Sequence, residues 1–322
     1  MRSIITIVLL VKSIFLFSQE LETDSAWIES EVKILYAEAE QITNVLYNYL
    51  ELDYWLENLD TLSDANKVKI GIYKEQRDNL LTTALNYYEE ITTKYVTSKL
   101  YHRALNNQGI IEFELKLYER AKKSFLEILN SNVDDKEEVQ VGFGLMAEPY
   151  ANYRNRAAEM LYEIEYSQGN YNEAKKYLEE STKHQYHHWC SNAFEEKEFW
   201  LAFQRSKIES KFENYVKATK MIIPHLFNRR IMKEEELREY TVNLLFHMKT
   251  KDELLQEFEI GINNFYKRRI EPESDYENYF IRFLGEEIEI SIYGSSDKED
   301  ELKQIKEHVE FQWLYNHIKS KK

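Results

Sequence analysis

The chain has little of what most folds use to turn corners: eight glycines and three prolines in 322 residues, against ordinary usages of roughly 7% and 5%. Such sparse punctuation excludes an all-β fold built on many tight turns and a loop-rich catalytic barrel, and it leaves long helices with short connections. Cysteine is scarcer still. Cys190 stands alone, so no intrachain disulfide can form and no Cys-rich zinc module can be assembled. Positive charge is also short. Lys and Arg total 42 against 57 Asp and Glu, a formal net charge of -15, and such a surface repels nucleic-acid phosphates and anionic lipid headgroups. Catalytic signatures are missing as well. Gly142-Phe143-Gly144 is followed by neither a third glycine nor a Lys-Ser/Thr pair, so it is no phosphate loop. No His-Glu-x-x-His and no Gly-x-Ser-x-Gly occurs. His188 and Cys190 are close in sequence, but a Cys-His nucleophile pair is assembled in space. The expectation is a non-enzyme with no cofactor.

What is present begins with MRSIITIVLLVKSIFLFSQ, a basic start at Arg2 followed by apolar runs from Ile4 to Val11 and from Ile14 to Phe17. This reads as an export signal, residues 1–18, cut near Ser18. Lys12 splits its apolar core and Leu16 stands where a small residue is preferred, which leaves an uncleaved anchor or an apolar first helix as alternatives. A periplasmic or secreted chain is expected, with no membrane-spanning segment after the cut. The remainder, 31% charged and 43% hydrophobic overall, has the composition of a folded protein.

Ile28, Val32, Leu35, Ala39, Ile42, Leu46 and Tyr49 recur at steps of four and three, one face of a helix. Ile70, Tyr73, Leu80, Ala84, Tyr87 and Ile91 follow with a similar period, Arg77 lies in the seam, and Ser63-Asp64 is placed to cap the start. These predict a helical hairpin within residues 19–98. An intermolecular coiled coil is the alternative, but the positions flanking this seam lack clear charge complementarity.

The segment LYEIEYSQGNYNEAKKYLEE, Leu161 to Glu180, then sets a ruler: Gly169, Tyr171 and Ala174 between two apolar-periodic runs. Tyr118 and Ala121 fall on it in LNNQGIIEFELKLYERAKKSFLEIL, and Tyr215 and Ala218 in FWLAFQRSKIESKFENYVKATKMII. Internal repeats with periods in the thirties signify stacked helix pairs. At these residues the chain resembles the tetratricopeptide repeat (TPR) family. Residues 102–135 match its pattern through Gly109, Tyr118, Ala121 and Phe125; residues 155–188 through Gly169, Tyr171, Ala174 and Leu178; residues 199–232 through Ser206, Tyr215, Ala218 and Ile222. Tyr162 departs from the small residue of the pattern, Lys116 and Glu213 from its turn glycine, and Pro224 falls within the third unit's second helix. Insertions separate the three units.

The region 233–322 reads as further helices. Glu234–Met248 and Thr250–Phe265 are periodic, with Thr250-x-x-Glu253 as a capping box. Ser274-x-x-Glu277 opens Tyr276, Tyr279, Phe280, Phe283 and Leu284 at helical spacing, while EIEISIY alternates like a strand. Leu284, Ile288 and Ile292 continue a helical face, so a helix is favoured over a hairpin turning at Gly285. Residues 298–318 close the chain as one amphipathic helix with Leu302, Ile305, Val309, Trp313 and Ile318 inward. The predicted fold is all-α: a helix-pair solenoid of TPR-like repeats over 99–232, with the N-terminal hairpin and C-terminal helix pairs.

The resemblance implies a groove lined by the first helix of each repeat. Its contact positions fall on Arg103, Asn106 and Ile110; Arg156, Glu159 and Glu163; Trp200, Phe203 and Lys207. Two arginines, a lysine and two large aromatics suit an extended or helical peptide with acidic and apolar side chains. Packing against the insertions is the competing reading for each. The insertion DDKEEVQVGFGLMAEP, Asp134 to Pro149, is a second candidate surface, because Val139, Val141, Phe143, Leu145 and Met146 are too apolar for an idle loop. His184 and His188 share a helix face with Glu180 one turn earlier, and His187 adjoins them. That arrangement suits either a metal ion or a solvated helix end. Two functions remain open: a non-catalytic scaffold or adaptor of the cell envelope that binds a peptide or protein, and an immunity protein or inhibitor that neutralises a toxin or hydrolase in the same compartment.

Overall fold

The computed structural model describes residues 25–46, 63–141, 148–186, 191–227, 231, 233–269, 278–290, 292 and 297–321. The expected signal, Tyr49, the insertion tip from Gly142 to Ala147, His187, His188, Cys190 and Ser274 to Glu277 lie outside them. Among the described residues no helix is long and apolar enough to cross a membrane. Contacts divide the chain after Tyr186 into two compact units, a boundary that falls inside the span read as repeats.

The first unit is a succession of packed helices. Residues 25–46 form α1 and Asp64–Lys94 form α2. The two bury Val32, Tyr36, Ala39 and Leu46 against Leu81, Ala84, Leu85, Tyr88 and Ile91. Tyr36 meets Tyr88 edge-on at 5.7 Å, the arrangement that aromatic quadrupoles favour. The seam on α2 follows the reading above at Ile70, Ala84 and Ile91, which are buried, and departs from it elsewhere. Tyr73 and Leu80 are exposed, while Leu81, Leu85 and Tyr88 are buried, because the helix carries apolar side chains in two adjacent registers and packing selects the one facing its neighbours. Arg77 leaves the core through an ion pair to Glu114 at 2.6 Å. Ser63 precedes α2, but its side chain makes no capping bond.

Three pairs of helices share a local geometry. In the first unit α3 (Tyr101–Glu114) is followed by α4 (Tyr118–Leu129), and α5 (Tyr153–Ser167) by α6 (Tyr171–Ser181). In the second, α7 (Ser191–Lys211) is followed by α8 (Tyr215–Ile222). The residue two before each tyrosine has a left-handed backbone: Lys116 at φ 61°, Gly169 at φ 80° and Glu213 at φ 60°. A lysine and a glutamate thus adopt a conformation that glycine enters freely. Ala121, Ala174 and Ala218 are wholly buried. Between α4 and α5 the strands β1 (Glu138–Val141) and β2 (Glu148–Tyr150) pair antiparallel. The expected apolar loop is therefore a strand pair at its base.

In the second unit, α7, α8 and α9 (Glu235–Met248) enclose Phe199, Phe203, Ala218, Ile222 and Leu244. Pro224 lies beyond α8, in the short 3-10 turn Ile223–His225, where its missing N–H costs no helical bond. The capping box forms as read at the start of α10 (Lys251–Asn263), Thr250 accepting from the Glu253 backbone. The following segment corrects the all-α expectation. Tyr266–Arg268 (β3), Asn278–Phe283 (β4) and Glu286–Ile290 (β5) form an antiparallel sheet in that order. Its inward face carries Tyr279, Ile281, Phe283, Ile288 and Ile290, a period of two that competes with the helical period and wins over so short a run. Leu284 at φ 51° and Gly285 at φ 86° make the hairpin turn, the pair of left-handed residues that matches strand twist. Phe258 stacks on Phe283 at 3.9 Å. Gly261 brings α10 against the sheet, since a Cβ there would sit 2.3 Å from the Arg282 carbonyl oxygen. The single C-terminal helix is likewise two, α11 (Lys298–Glu307) and α12 (Val309–Ser320), broken at extended His308. The break re-phases the chain so that Leu314 joins Ile305 and Ile318 in the core.

Gly109 on α3 lies beneath Phe125 of α4, where an added Cβ would come within 2.8 Å of the ring. Gly109→Ala is expected to destabilise by about 1–3 kcal/mol through overpacking. Gly71→Ala, on α2 with nothing within 4 Å, should instead stabilise by up to about 1 kcal/mol. Urea midpoints at unchanged slope measure both; equal effects of the two changes would contradict this packing.

Candidate interaction surface

The turn between the helices of each pair is held by a buried carboxylate. Glu112, Glu165 and Glu209 are 1%, 1% and 3% exposed, and each stands six residues before the tyrosine that opens the next helix. The carbonyl of each accepts the N–H of the residue just before that tyrosine: Leu117 at 2.8 Å, Asn170 at 2.8 Å and Asn214 at 3.0 Å. The side chains then find different partners. Glu112 accepts from Arg120 at 3.0 Å and 3.1 Å, and from Ser124 at 2.7 Å. Glu209 accepts from Asn214 at 3.0 Å and Lys217 at 2.8 Å. Glu165 accepts from Asn170 at 2.8 Å and pairs with Lys122 of α4, which joins one helix pair to the next. A buried carboxylate without such donors would cost several kcal/mol. These residues were missed above, although the sequence carries the signal: Ile-Glu, five residues, Tyr, two residues, Ala occurs at Ile111, Ile164 and Ile208.

Of the nine positions implied by the resemblance, six lie in the first unit. Here α3 and α5 are neighbours. Arg103 donates to Glu137 at 2.6 Å and to the Tyr153 hydroxyl at 3.4 Å, and Tyr153 in turn donates to Glu137 at 2.7 Å. The base of the insertion thus occupies that guanidinium. A second clamp lies beside it: Asp135, 2% exposed, accepts from the Arg154 backbone at 2.8 Å and side chain at 2.6 Å. Asn106 is buried and donates to Asn107 at 3.2 Å. Asn107 donates to Tyr36 and Tyr88 at 3.1 and 3.2 Å. Burial pushes the phenols of Tyr36, Tyr88 and Tyr153 up, Tyr88 to about 12, so all three stay neutral. Ile110, Arg156, Glu159 and Glu163 are half-buried and retain surface.

The other three lie in the second unit. Phe203 is 2% exposed and packs 5.0 Å from Tyr240 and 5.9 Å from Phe199. It is a core residue, so the contact position that the resemblance implies there is covered by Tyr240 and Phe199. Trp200 is half-buried beneath the Lys197 ammonium at 4.7 Å. Lys207 meets Glu236 at 3.5 Å and lies over Phe203 at 5.2 Å.

His184 contacts Glu180 at 3.2 Å, and among the described residues no group of three potential ligands converges on a metal site. The carboxyl of Glu180 is held below its ordinary range, first by Lys183 and then by His184. No known protein-family model matches this chain, and no curated protein matches it in sequence.

Neutralising Glu209 removes the acceptor charge for Lys217 and weakens the side-chain bond from Asn214, while the backbone bond that closes the turn is kept. Glu209→Gln is expected to lower stability by about 1–2 kcal/mol, whereas Glu173→Gln, at an exposed position of α6, should stay within about 0.5 kcal/mol. Chemical denaturation of the two variants gives the comparison, and similar midpoints would remove the structural role assigned to the buried carboxylate.

Proposed function

We propose that the chain is a non-catalytic interaction scaffold of the cell envelope, built on TPR-like helix pairs, that holds a peptide or protein ligand. The observation that carries the reading is the threefold recurrence of one helix-turn-helix unit, each with a left-handed turn residue, a buried alanine and a buried glutamate. Helix pairs of this kind, stacked through small residues, exist to present repeated faces to a partner. The N-terminal sequence supports export, since its basic start and apolar runs have the order of a signal peptide.

The ligand-facing positions are best sought among residues that keep surface. Arg156 on α5 and Trp200 on α7 are half-buried, whereas Arg103 is engaged by Glu137 and Phe203 is enclosed. A large aromatic and an arginine are the side chains that most often dominate an interface. The expected ligand carries acidic and apolar groups.

The test is capture of binding proteins from an envelope extract of the source organism by the parent chain and by Arg156→Glu/Trp200→Ala, with mass spectrometry of what each retains. The parent should hold a stoichiometric partner that the variant loses while its circular dichroism and urea midpoint are unchanged. Equal retention by both chains would remove the first helices of the pairs from the binding surface.

A further inference from the structure

The first helix carries a second seam besides the one it buries. Trp27, Ser30, Ile34, Ala37, Gln41 and Asn44 follow one another at alternating steps of three and four residues, and all six are exposed. Trp27 and Ile34 present 66% and 61% of their surface. Steps of three and four are the spacing by which one helix packs along another: Trp27, Ile34 and Gln41 take the a positions, and Ser30, Ala37 and Asn44 the d positions. At 100° per residue this stripe points roughly 175° away from the buried face formed by Val32, Tyr36, Ala39 and Leu46. A partner helix laid on it would therefore meet α1 on the side opposite the body of the first unit.

No residue of the seam is charged, in a chain whose formal net charge is -15. The flanking positions say what fits. Lys33 at g and Glu38 at e are five residues apart, which is the offset that brings g of one helix to e of a parallel partner. The remaining parallel pairs set Ala26 against Glu31 and Glu40 against Val45, so no like charges meet. An antiparallel arrangement would place Glu31 beside Glu38, a repulsion that offsets the attraction of Lys33 for Glu40 there, whereas the parallel one has only the attractive pair. Within its own chain Glu38 also meets the Tyr87 hydroxyl.

We propose that α1 pairs through this exposed seam with α1 of a second copy of the chain, as a parallel, in-register coiled coil flanked by two symmetric Lys33–Glu38 ion pairs. The bulky a residues Trp27 and Ile34 alternate with the small d residues Ser30 and Ala37, which lets the helices approach closely. Gln41 pairs with its own copy and holds the register, as a polar a residue does. The surface is separate from the positions proposed to meet a ligand, so either reading can fail alone.

Sedimentation equilibrium of the full chain tests this. The parent should sediment at twice the chain mass of 38.8 kDa. Ile34→Glu, a change at an exposed site that leaves the fold intact by circular dichroism, should weaken association on the order of a hundredfold by placing two like charges in the seam. Lys33→Glu should weaken it on the order of tenfold, and Lys33→Glu/Glu38→Lys should recover it. In a Cys190→Ser background, Ser30→Cys should form an interchain disulfide under mild oxidation, since identical d positions face each other only in a parallel pair. A parent that stays monomeric, or a dimer indifferent to Ile34→Glu, overturns the interface. Failure of both the charge swap and the disulfide overturns the parallel register.

Discussion

A carboxylate can leave water only if donors replace the water it loses, and that requirement organises the helix pairs. Glu112, Glu165 and Glu209 sit at the ends of α3, α5 and α7, where the backbone must reverse and where carbonyls otherwise go unbonded. Each glutamate meets the requirement twice over. Its carbonyl receives the N–H that closes the turn, and its side chain collects donors from the turn or from the following helix. Because those donors exist only when the two helices are in place, the angle and register of each pair are coupled to the turn. The left-handed residues Lys116 and Glu213 follow from this constraint. Closure of the turn outweighs the modest preference of a side chain for negative φ.

The same bonding extends beyond single pairs. Glu165 draws Lys122 from the preceding pair, so the joint between α4 and α5 is ionic as well as apolar. The insertion that follows α4 is fastened by Asp135 to Arg154 and by Glu137 to Arg103 and Tyr153. Charged groups that seem at first to belong to a ligand surface are thereby used to hold the chain together. Beyond its α7–α8 pair the second unit meets its needs differently. Its helices α10, α11 and α12 pack on a three-stranded sheet, and Glu301, 2% exposed, is satisfied by Tyr279 at 2.7 Å and Lys267 at 2.6 Å.

The helices, most of their boundaries and the capping box at Thr250 were legible in the sequence because each rests on local periodicity or on short-range bonds. The tyrosine, alanine and turn positions were legible for the same reason. The hairpin at Leu284 and Gly285 was not. Its residues satisfy a period of two and a period of 3.6 at once over a few positions, and only the sheet partner Tyr266–Arg268, together with the stack of Phe258 on Phe283, discriminates between them. The break at His308 and the exposure of Tyr73 and Leu80 on α2 have a similar origin, since both depend on which neighbour the apolar face meets. Among the candidate contact residues, Arg156 and Trp200 keep surface, while Asn106 and Phe203 do not. Spacing along one helix says which residues share a face, but not whether another element covers that face.

The sequence by itself determined the dominance of helix, the three occurrences of one helix-turn-helix unit, the acidic balance and the absence of an intrachain disulfide, because composition and short-range periodicity suffice for each. Only the tertiary structure decided that Glu112, Glu165 and Glu209 are buried, that Arg103 is spent on Glu137, and that the residues after Tyr266 form a sheet. Each of those outcomes depends on groups far apart in the chain coming within bonding or packing distance, and the free energy that selects among local alternatives resides in those contacts.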